Sequence, residues 1–287
     1  MKNLLRIGIP TRAASSKFIT IIRELDRQVC EVCEKYQSWS LVSIAVHVNG
    51  EDGFYYLDAL KSIARESKYE FEIFVRPENI GFDGNYLGLL KNQCDYTWVI
   101  GDDDQICDGV LPVIVETLIE HQPDYLYVGG YTQKTTVKNI LETKKLSELL
   151  EYVEFRVGGI AASIFGRTCL EIFWVEGKEK DWAFWPHLGV LFSTINHKVS
   201  YIALAEKGFV ELDTAKRWIN ETGRKEINSA LWAATDMSQY SANNESKIAQ
   251  KIIDRHIFSR IWWRVFKSII KGESSFDIAM LTKVYWR

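Results

Sequence analysis

Between residues 4 and 128 the sequence alternates short apolar segments with longer amphipathic ones. The apolar segments have the length and β-branched content of strands, whereas the amphipathic segments have the spacing of helices. Strands separated by helices form βαβ crossovers, so this region predicts an α/β fold with a mostly parallel, Rossmann-like central sheet and helices on both faces. The predicted strands are 4–10, 41–48, 71–75, 96–100 and 125–128, and the predicted helices are 15–37, 54–66, 83–92 and 110–121.

The second half of the chain is less regular. Residues 132–154 are polar and rich in lysine, which indicates an excursion from the fold. After residue 215 the pattern becomes mainly helical. A chain of 287 residues is long enough for one large domain with an appendage. We therefore expect a main domain over 1–215, with halves 1–130 and 131–215, followed by a helical C-terminal extension over 216–287.

Composition and missing motifs exclude several classes of protein. The hydrophobic fraction of 47% argues against disorder, and the net charge of −3 argues against a nucleic-acid partner. The first predicted strand leads into Pro10, Thr11 and Arg12 instead of a glycine-rich dinucleotide-binding turn, and no P-loop motif is present. Five cysteines without framework spacing fit a reducing compartment, and neither a signal peptide nor a membrane-spanning segment is evident. These features predict a cytoplasmic protein.

The strongest local signal is a run of three carboxylates at the end of an apolar strand. The predicted strand 96–100 runs into Asp102, Asp103 and Asp104. Adjacent carboxylates repel one another unless a cation or hydrogen-bond donors compensate. Because alternate residues at a strand end point the same way, Asp102 and Asp104 can share one ligand. Mg²⁺ and Mn²⁺ take such oxygen ligands and bridge to diphosphates, whereas the alternative is a solvated loop that caps the next helix.

Four motifs in order, at fitting spacing, carry a resemblance to a known family. They are a strand followed by Pro-Thr-Arg at 7–12, a strand followed by Asn-Gly at 45–50, the loop 76–85, and the strand with the aspartate run at 96–104. With them the chain resembles the family 2 glycosyltransferases of the GT-A fold, which use nucleotide-sugar donors. The resemblance implies that the main domain is a GT-A catalytic domain, with a nucleotide-sugar-binding first half and an acceptor-side second half.

The resemblance implies a role for each matching residue. Asp104, with Asp102, would hold a metal ion on the diphosphate, and Asp102 and Asp103 would also line the donor site. Asn49 would approach the nucleobase, at a position where many relatives have an acid. The other implied donor-binding residues are Pro10, Thr11, Arg12, Asn79, Gly81, Asp83 and Asn85.

An inverting transferase also needs a base that deprotonates the acceptor hydroxyl. The resemblance places this base just before a downstream helix, where the chain has Asp181 in place of the usual Glu-Asp pair. Asp181 would equally suit a helix cap, and His187 is the competing candidate for the base. Trp182 and Trp185 suit stacking on the acceptor sugar as well as core packing. Arg217 is a candidate contact to the donor phosphates or the acceptor.

The C-terminal segment differs in charge from the rest of the chain. From residue 251 onward eight Lys or Arg stand against three acids, a balance of +5. On a helical wheel over 256–271 basic residues take one side and aromatic residues the other, which is typical of an interfacial membrane helix. Residues 251–271 therefore predict a contact with a membrane surface. The alternatives are packing on the catalytic domain and a homo-oligomer interface.

Together these features predict an inverting glycosyltransferase of the hexosyltransferase type that depends on Mn²⁺ or Mg²⁺, peripheral on the inner face of the cell membrane. The resemblance implies a nucleotide-sugar donor, a glycan or polyprenol-linked acceptor, and a place in bacterial O-antigen or capsule assembly. The main alternative is a non-catalytic, nucleotide-sugar-binding scaffold subunit. A nucleotide-sugar pyrophosphorylase is disfavoured, because residues 10–16 contain no glycine and so lack its glycine-rich loop.

Overall fold

The structure, a computed structural model, is an α/β fold built on one large sheet. It describes residues 3–12, 17–129, 140–153, 156–177, 182, 185–204, 209–211, 237, 240 and 243–255. The strands are β1 (Leu5–Thr11), β2 (Val42–Asn49), β3 (Phe71–Arg76), β4 (Tyr96–Val99), β5 (Asp104–Ile106), β6 (Tyr125–Tyr127), β7 (Leu141–Thr143), β8 (Ser163–Gly166), β9 (Tyr201–Ala203) and β10 (Phe209–Glu211). The α-helices are α1 (Phe18–Lys35), α2 (Leu57–Glu66), α3 (Gly81–Leu90), α4 (Val110–His121), α5 (Leu146–Tyr152), α6 (Arg167–Glu176) and α7 (Pro186–Ser193). Short 3₁₀ helices lie at Glu51–Tyr56, Arg156–Gly158, Ile160–Ala162 and Thr194–Asn196, and residues 244–255 are also helical.

The large sheet has the strand order β3-β2-β1-β4-β8-β6-β9-β7. Neighbours from β3 to β4 are parallel, β8 is antiparallel to both β4 and β6, and β7 is antiparallel to β9. The carboxyl ends of β1, β2, β3 and β4 therefore lie at the same edge, where open α/β sheets bind their ligands. Just beyond β4 the chain enters β5, which forms a separate antiparallel pair with β10.

Both faces of the sheet are covered, as the central strand β1 shows. Ile7 and Ile9 point to the face opposite that of Gly8, because side chains alternate along a strand, yet all three residues are buried. A Cβ added to Gly8 would lie 3.0 Å from Leu89 Cδ2, so the missing side chain lets α3 pack directly on β1. The expected mostly parallel sheet with helices on both faces is confirmed.

One predicted segment has a different structure. The polar excursion expected over 132–154 is wrong for residues 140–153, which form β7 and α5. Leu146, Leu149 and Leu150 recur with helical spacing and are buried, so they hold this segment against the core in spite of its charged residues. The apolar side of α5 is buried, which stabilises the helix, whereas Glu148 and Glu151 remain exposed to water.

Residues 244–255, within the predicted C-terminal region, pack on the hydrophobic core through Ala249 and Ile253. Residues 244–255 are helical, and Arg255 forms an ion pair with Glu151 of α5. The membrane-surface prediction concerns residues 251–271, of which only 251–255 are described; they are helical, and Ile252 and Ile253 are buried. Residues 256–271 and the domain boundary at 215 lie outside the described residues and stay predictions. In the part of the chain that the structure describes, no helix combines the length and the apolar character needed to cross a bilayer.

Candidate functional site

Side chains from four separate segments meet beyond the carboxyl ends of β1 to β4. Thr11 ends β1 and the buried Asn49 ends β2, whereas a loop with Asn79 follows β3 and an acidic turn, residues 101–104, follows β4. Two hydrogen bonds connect these segments across the sheet. Thr11 Oγ1 donates to Asp102 Oδ2 over 2.6 Å, and Asn49 Nδ2 donates to Asn79 Oδ1 over 3.0 Å. Residues from all four predicted motifs therefore lie at one edge.

The acidic turn folds its carboxylates back over Gly101. The Gly101 N–H donates to Asp104 Oδ2 over 2.9 Å, and the Asp104 N–H donates to the Gly101 carbonyl over 3.2 Å. A Cβ added to Gly101 would lie 2.8 Å from Asp103 Oδ1 and 2.9 Å from Asp104 Oδ2. Two carboxylates thus flank the same point of the backbone, and Asp104 is only 4% exposed. This burial argues against a merely solvated loop, because a carboxylate out of water needs compensating donors or a cation.

The end of β1 supports the acidic turn from the neighbouring strand. Thr11 is buried, and the hydrogen bond from its hydroxyl fixes the Asp102 carboxylate relative to the sheet. Pro10 is partly buried and Arg12 is exposed, with Arg12 Nε 3.7 Å from Asp52 Oδ2. The guanidinium of Arg12 therefore lies at the surface of the edge, where it is suited to contact a phosphate. The Thr11 hydroxyl, by contrast, donates its hydrogen bond to Asp102 of the protein itself.

The loop and helix start after β3 carry the remaining predicted donor-site residues. Asn79 and Gly81 are exposed, and Asp83 is partly buried in the first turn of α3. Gly81 has a φ of +75°, which favours glycine, and nothing lies within 4 Å of an added Cβ. Asn85 Nδ2 donates to the His47 carbonyl over 3.1 Å, which ties α3 to β2. The backbone at the start of α3 is therefore open to a ligand while the helix itself is anchored.

Two contacts that hold the strand of Asp104 were not predicted as part of the site. Strand β10 pairs with β5 and places Glu211 opposite Asp104 in the register. Gln28 of α1 is buried, and its Nε2 donates to the Ile106 carbonyl over 3.2 Å. Both contacts fix the backbone that carries Asp104. Gln28 has no local signature in the sequence, because its partner lies 78 residues away.

The acidic turn supplies oxygen donors that suit a hard divalent cation. Mg²⁺ is typically held by one or two carboxylates together with phosphate oxygens and water. Among the described residues no group of three or more His, Cys, Asp or Glu side chains gathers as a metal site of its own. Asp102, oriented by Thr11, and the buried Asp104 fit a partial ligand set whose other positions a diphosphate would fill.

His187 lies in the core. It occupies the first turn of α7, which begins at Pro186, a residue that is well tolerated at the start of a helix. His187 is 1% exposed, and its Nε2 lies 3.2 Å from the Gly158 carbonyl. Burial lowers the pKa of His187 to about 4, so the ring is neutral at neutral pH. This environment is that of a structural histidine and does not favour His187 as the base.

The other predicted acceptor-side residues are divided between core, surface and undescribed segments. Trp182 is fully buried, and its ring centroid lies 5.5 Å from that of Phe192, so it packs in the core. Trp185 is partly exposed and packs against the edge of the core. Asp181 and Arg217 lie outside the described residues, and their roles stay predictions.

We expect His187 to make the stability of the fold depend on pH. Its pKa of about 4 in the folded chain lies below the ordinary 6.5, so the unfolded chain takes up the proton first as pH falls. The stability contributed by neutral His187 is therefore present above about pH 6.5 and is lost as pH falls toward 4. His187→Gln keeps an amide donor near Nε2 but does not titrate. Between pH 7 and 5, urea unfolding should show a loss about 2 kcal/mol larger for the wild type than for His187→Gln. Equal losses would contradict this assignment.

Solved structures share this fold at low sequence identity. S. aureus TarS 1–349 in complex with UDP-GlcNAc matches 90% of this chain and 73% of that chain, with a TM-score of 0.64 and 12% identity. A longer S. aureus TarS structure matches 90% of this chain and 44% of that chain, with a TM-score of 0.60 and 14% identity. Mannosyltransferase PcManGT from Pyrobaculum calidifontis, in complex with GDP-Man and Mn²⁺, matches 99% of this chain and 79% of that chain, with a TM-score of 0.60 and 12% identity. No protein-family model and no curated protein matches the chain.

These structural matches establish the fold. The α/β architecture expected from the sequence, with its GT-A type of sheet and flanking helices, is confirmed by matches that span nine-tenths or more of the chain. Identities of 12–14% are too low to carry an activity from one protein to another.

Proposed function

We propose that the chain is an inverting, metal-dependent glycosyltransferase that moves a sugar from a nucleotide-sugar to a glycan or a polyprenol-linked glycan. The observation that carries this proposal is the convergence of the acidic turn, Thr11 and the start of α3 at the carboxyl edge of a sheet of this type. The UDP-GlcNAc of the TarS structure and the GDP-Man and Mn²⁺ of the PcManGT structure support it, because they are bound to proteins of the same fold.

Asp104 and Asp102 are the residues that would hold Mn²⁺ or Mg²⁺. When bound there, such a cation offsets the negative charge that develops on the departing nucleoside diphosphate. Thr11 holds the Asp102 carboxylate in place, and the Gly101 N–H does the same for Asp104, so both acids are oriented before a donor arrives. The exposed guanidinium of Arg12 would contact the donor phosphates.

On the acceptor side we assign the base to Asp181. A carboxylate near the anomeric carbon would take the proton of the acceptor hydroxyl as that oxygen attacks. The buried position of His187 favours Asp181 over it. Trp185, which is partly exposed, would stack on the apolar face of a sugar, and Arg217 would contact the acceptor or the donor phosphates.

The cellular role follows as a further proposal from the resemblance and the charge pattern. Assembly of a bacterial surface glycan, such as O-antigen or capsule, would use an acceptor carried on a membrane lipid. The basic and aromatic residues of segment 251–271 would hold the enzyme at the inner face of that membrane. This arrangement would make the protein peripheral and cytoplasmic.

Titration calorimetry with UDP, GDP and ADP, each with and without Mn²⁺, tests the proposal. We expect one nucleoside diphosphate to bind more tightly than the others, and we expect Mn²⁺ to strengthen that binding about tenfold or more. The matching nucleotide-sugar should then be turned over, first by slow hydrolysis and faster with a glycan acceptor. Binding without any turnover would favour the non-catalytic scaffold subunit. If none of the three nucleotides bound, with or without Mn²⁺, both the glycosyltransferase and the scaffold subunit would be contradicted.

A further inference from the structure

The side chain of Asn49 directs all of its hydrogen bonds to one short turn. Asn49 is 2% exposed at the end of β2. Its Nδ2 donates to Asn79 Oδ1 over 3.0 Å and to the Gly81 carbonyl over 3.2 Å, while its Oδ1 accepts from the Ile80 N–H over 2.9 Å. We call these three bonds the amide clasp. An asparagine amide has two donors and one acceptor oxygen, so the clasp occupies both ends of this side chain.

Backbone partners fix the orientation of this amide. The Ile80 N–H can only donate, so the atom that faces it must be the oxygen of Asn49. The Gly81 carbonyl can only accept, so the atom that faces it must be the nitrogen. Asn79 is oriented in the same way, because its Oδ1 also accepts from the Gly81 N–H over 3.0 Å. The ambiguity that usually attends amide orientation is therefore absent.

The clasp fixes the entry of the chain into α3. The turn leads directly into the helix, and it requires the left-handed conformation of Gly81, with a φ of +75°. On the strand side Gly50, with a φ of +89°, brings the backbone close enough that an added Cβ would lie 3.6 Å from Asn79 Cβ. The Asn85 bond to the His47 carbonyl is a second tie between the same strand and the same helix. The start of α3 is thus tied to β2 at two places.

We propose that Asn49 is a positioning residue, which sets the 79–81 turn and the start of α3, and that its side chain does not read the nucleobase. The second part rests on the proposed function, since it concerns the donor nucleotide. The resemblance implies a place for Asn49 beside the base, but both of its amide N–H groups and one lone pair of Oδ1 are bonded to the protein, and the residue is only 2% exposed. A base could therefore reach this side chain only if the clasp opened.

The two asparagines of the clasp use different atoms of their amides, so the same substitution can be compared at both positions. Asn79 contributes only its oxygen, which accepts from Asn49 Nδ2 and from the Gly81 N–H, so Asn79→Asp retains both bonds. Asn49 contributes both ends, so Asn49→Asp turns a carboxylate oxygen toward the Gly81 carbonyl and Asn79 Oδ1. The same chemical change at two asparagines joined by one hydrogen bond should therefore be tolerated at one position and disruptive at the other.

Hydrogen exchange of the ligand-free protein, read by mass spectrometry over peptides that cover 79–90, tests the clasp directly. We expect Asn49→Asp to speed exchange there about tenfold or more, and Asn79→Asp to change it by less than about twofold. Asn79→Ala should also speed exchange over 79–90. Because Asn79 is exposed and alanine adds no buried charge, this variant replaces Asn49→Asp if Asn49→Asp does not fold. Wild-type exchange in Asn49→Asp, or in Asn79→Ala where that variant replaces it, would overturn the proposal. Equal acceleration in the two Asp variants would overturn it too.

Nucleotide affinities in the same variants test the second part. With Mn²⁺ present, Asn49→Asp should weaken UDP, GDP and ADP by the same factor, so that the order of preference is unchanged. A changed order would show that Asn49 reads the base and would overturn the positioning assignment. If the wild type binds none of the three, the proposed function fails, whereas the exchange measurement still decides whether the clasp holds the turn.

Discussion

Asp104→Asn should reduce metal-dependent sugar transfer by about 10²–10³-fold in kcat/KM. The amide oxygen of Asn can still accept the hydrogen bond from the Gly101 N–H, so the turn should keep its backbone geometry. What is lost is the negative charge that would hold the cation against the diphosphate. The measurement is kcat/KM at several Mn²⁺ concentrations, with the free energy of unfolding alongside to show that the fold is retained.

Asp108→Asn is the matched control for this change. Asp108 lies four residues further on, its side chain is 83% exposed, and it pairs with Arg27 at the surface. The substitution removes the same charge outside the acidic turn, so transfer and metal dependence should stay within about twofold of the wild type. An Asp104→Asn variant that behaves like Asp108→Asn would remove Asp104 from the metal site.

Gly101→Ala should weaken metal and nucleotide binding about tenfold or more while leaving the fold intact. The new Cβ would lie 2.8 Å from Asp103 Oδ1 and 2.9 Å from Asp104 Oδ2, both closer than van der Waals contact allows. The obstructed atoms are the ends of side chains, so the carboxylates can turn away without a shift of the backbone, although Asp104 then loses its hydrogen bond from the Gly101 N–H. That movement should displace the oxygens from the arrangement that a cation requires. Calorimetry with Mn²⁺ and the preferred nucleoside diphosphate measures the loss.

Gly158→Ala provides the control for the added methyl group. Nothing lies within 4 Å of a Cβ at this position, and the backbone there does not require a left-handed conformation. Binding should be unchanged in Gly158→Ala, and its free energy of unfolding should change by less than about 1 kcal/mol. In Gly101→Ala the lost hydrogen bond to a buried carboxylate should lower the free energy of unfolding by about 1–3 kcal/mol, which leaves the protein folded. Wild-type affinity in Gly101→Ala would mean that the carboxylates do not need their present positions.

Most elements of the first 128 residues were predictable because their signal is local. Helix α4 begins and ends at the predicted residues, Val110 and His121, since an apolar stripe with helical spacing marks its whole length. The strand β5 was missed because three residues next to an acidic turn carry no periodic signal. The sequence also did not predict that β8 pairs antiparallel with β4 and β6, because a strand's own residues do not encode its partners or its direction in the sheet.

The candidate site divides in the same way. The aspartate run 102–104 was recognisable because adjacent carboxylates after an apolar strand repel one another unless a cation or donors compensate. The structure places this run at the predicted edge of the sheet. The role of Thr11 was predicted only as proximity to a nucleotide, whereas its hydroxyl proves to hold Asp102. His187 was a candidate base, and Trp182 suited sugar stacking as well as core packing; both are buried. Their burial depends on how α7 packs, which no local pattern reports.

For most of residues 4–128 the sequence by itself determined which segments become strands and helices and which polar residues stand at their ends. Hydrophobic periodicity and turn residues act over a few neighbours, and that range is enough to define an element. The tertiary structure alone decided which of those polar side chains satisfy one another. Thr11 and Asp102 are 91 residues apart, and Asn49 and Asn79 are 30 apart. Such pairs meet only after the strand order is set, and the strand order is fixed by burial of the whole sheet rather than by either partner.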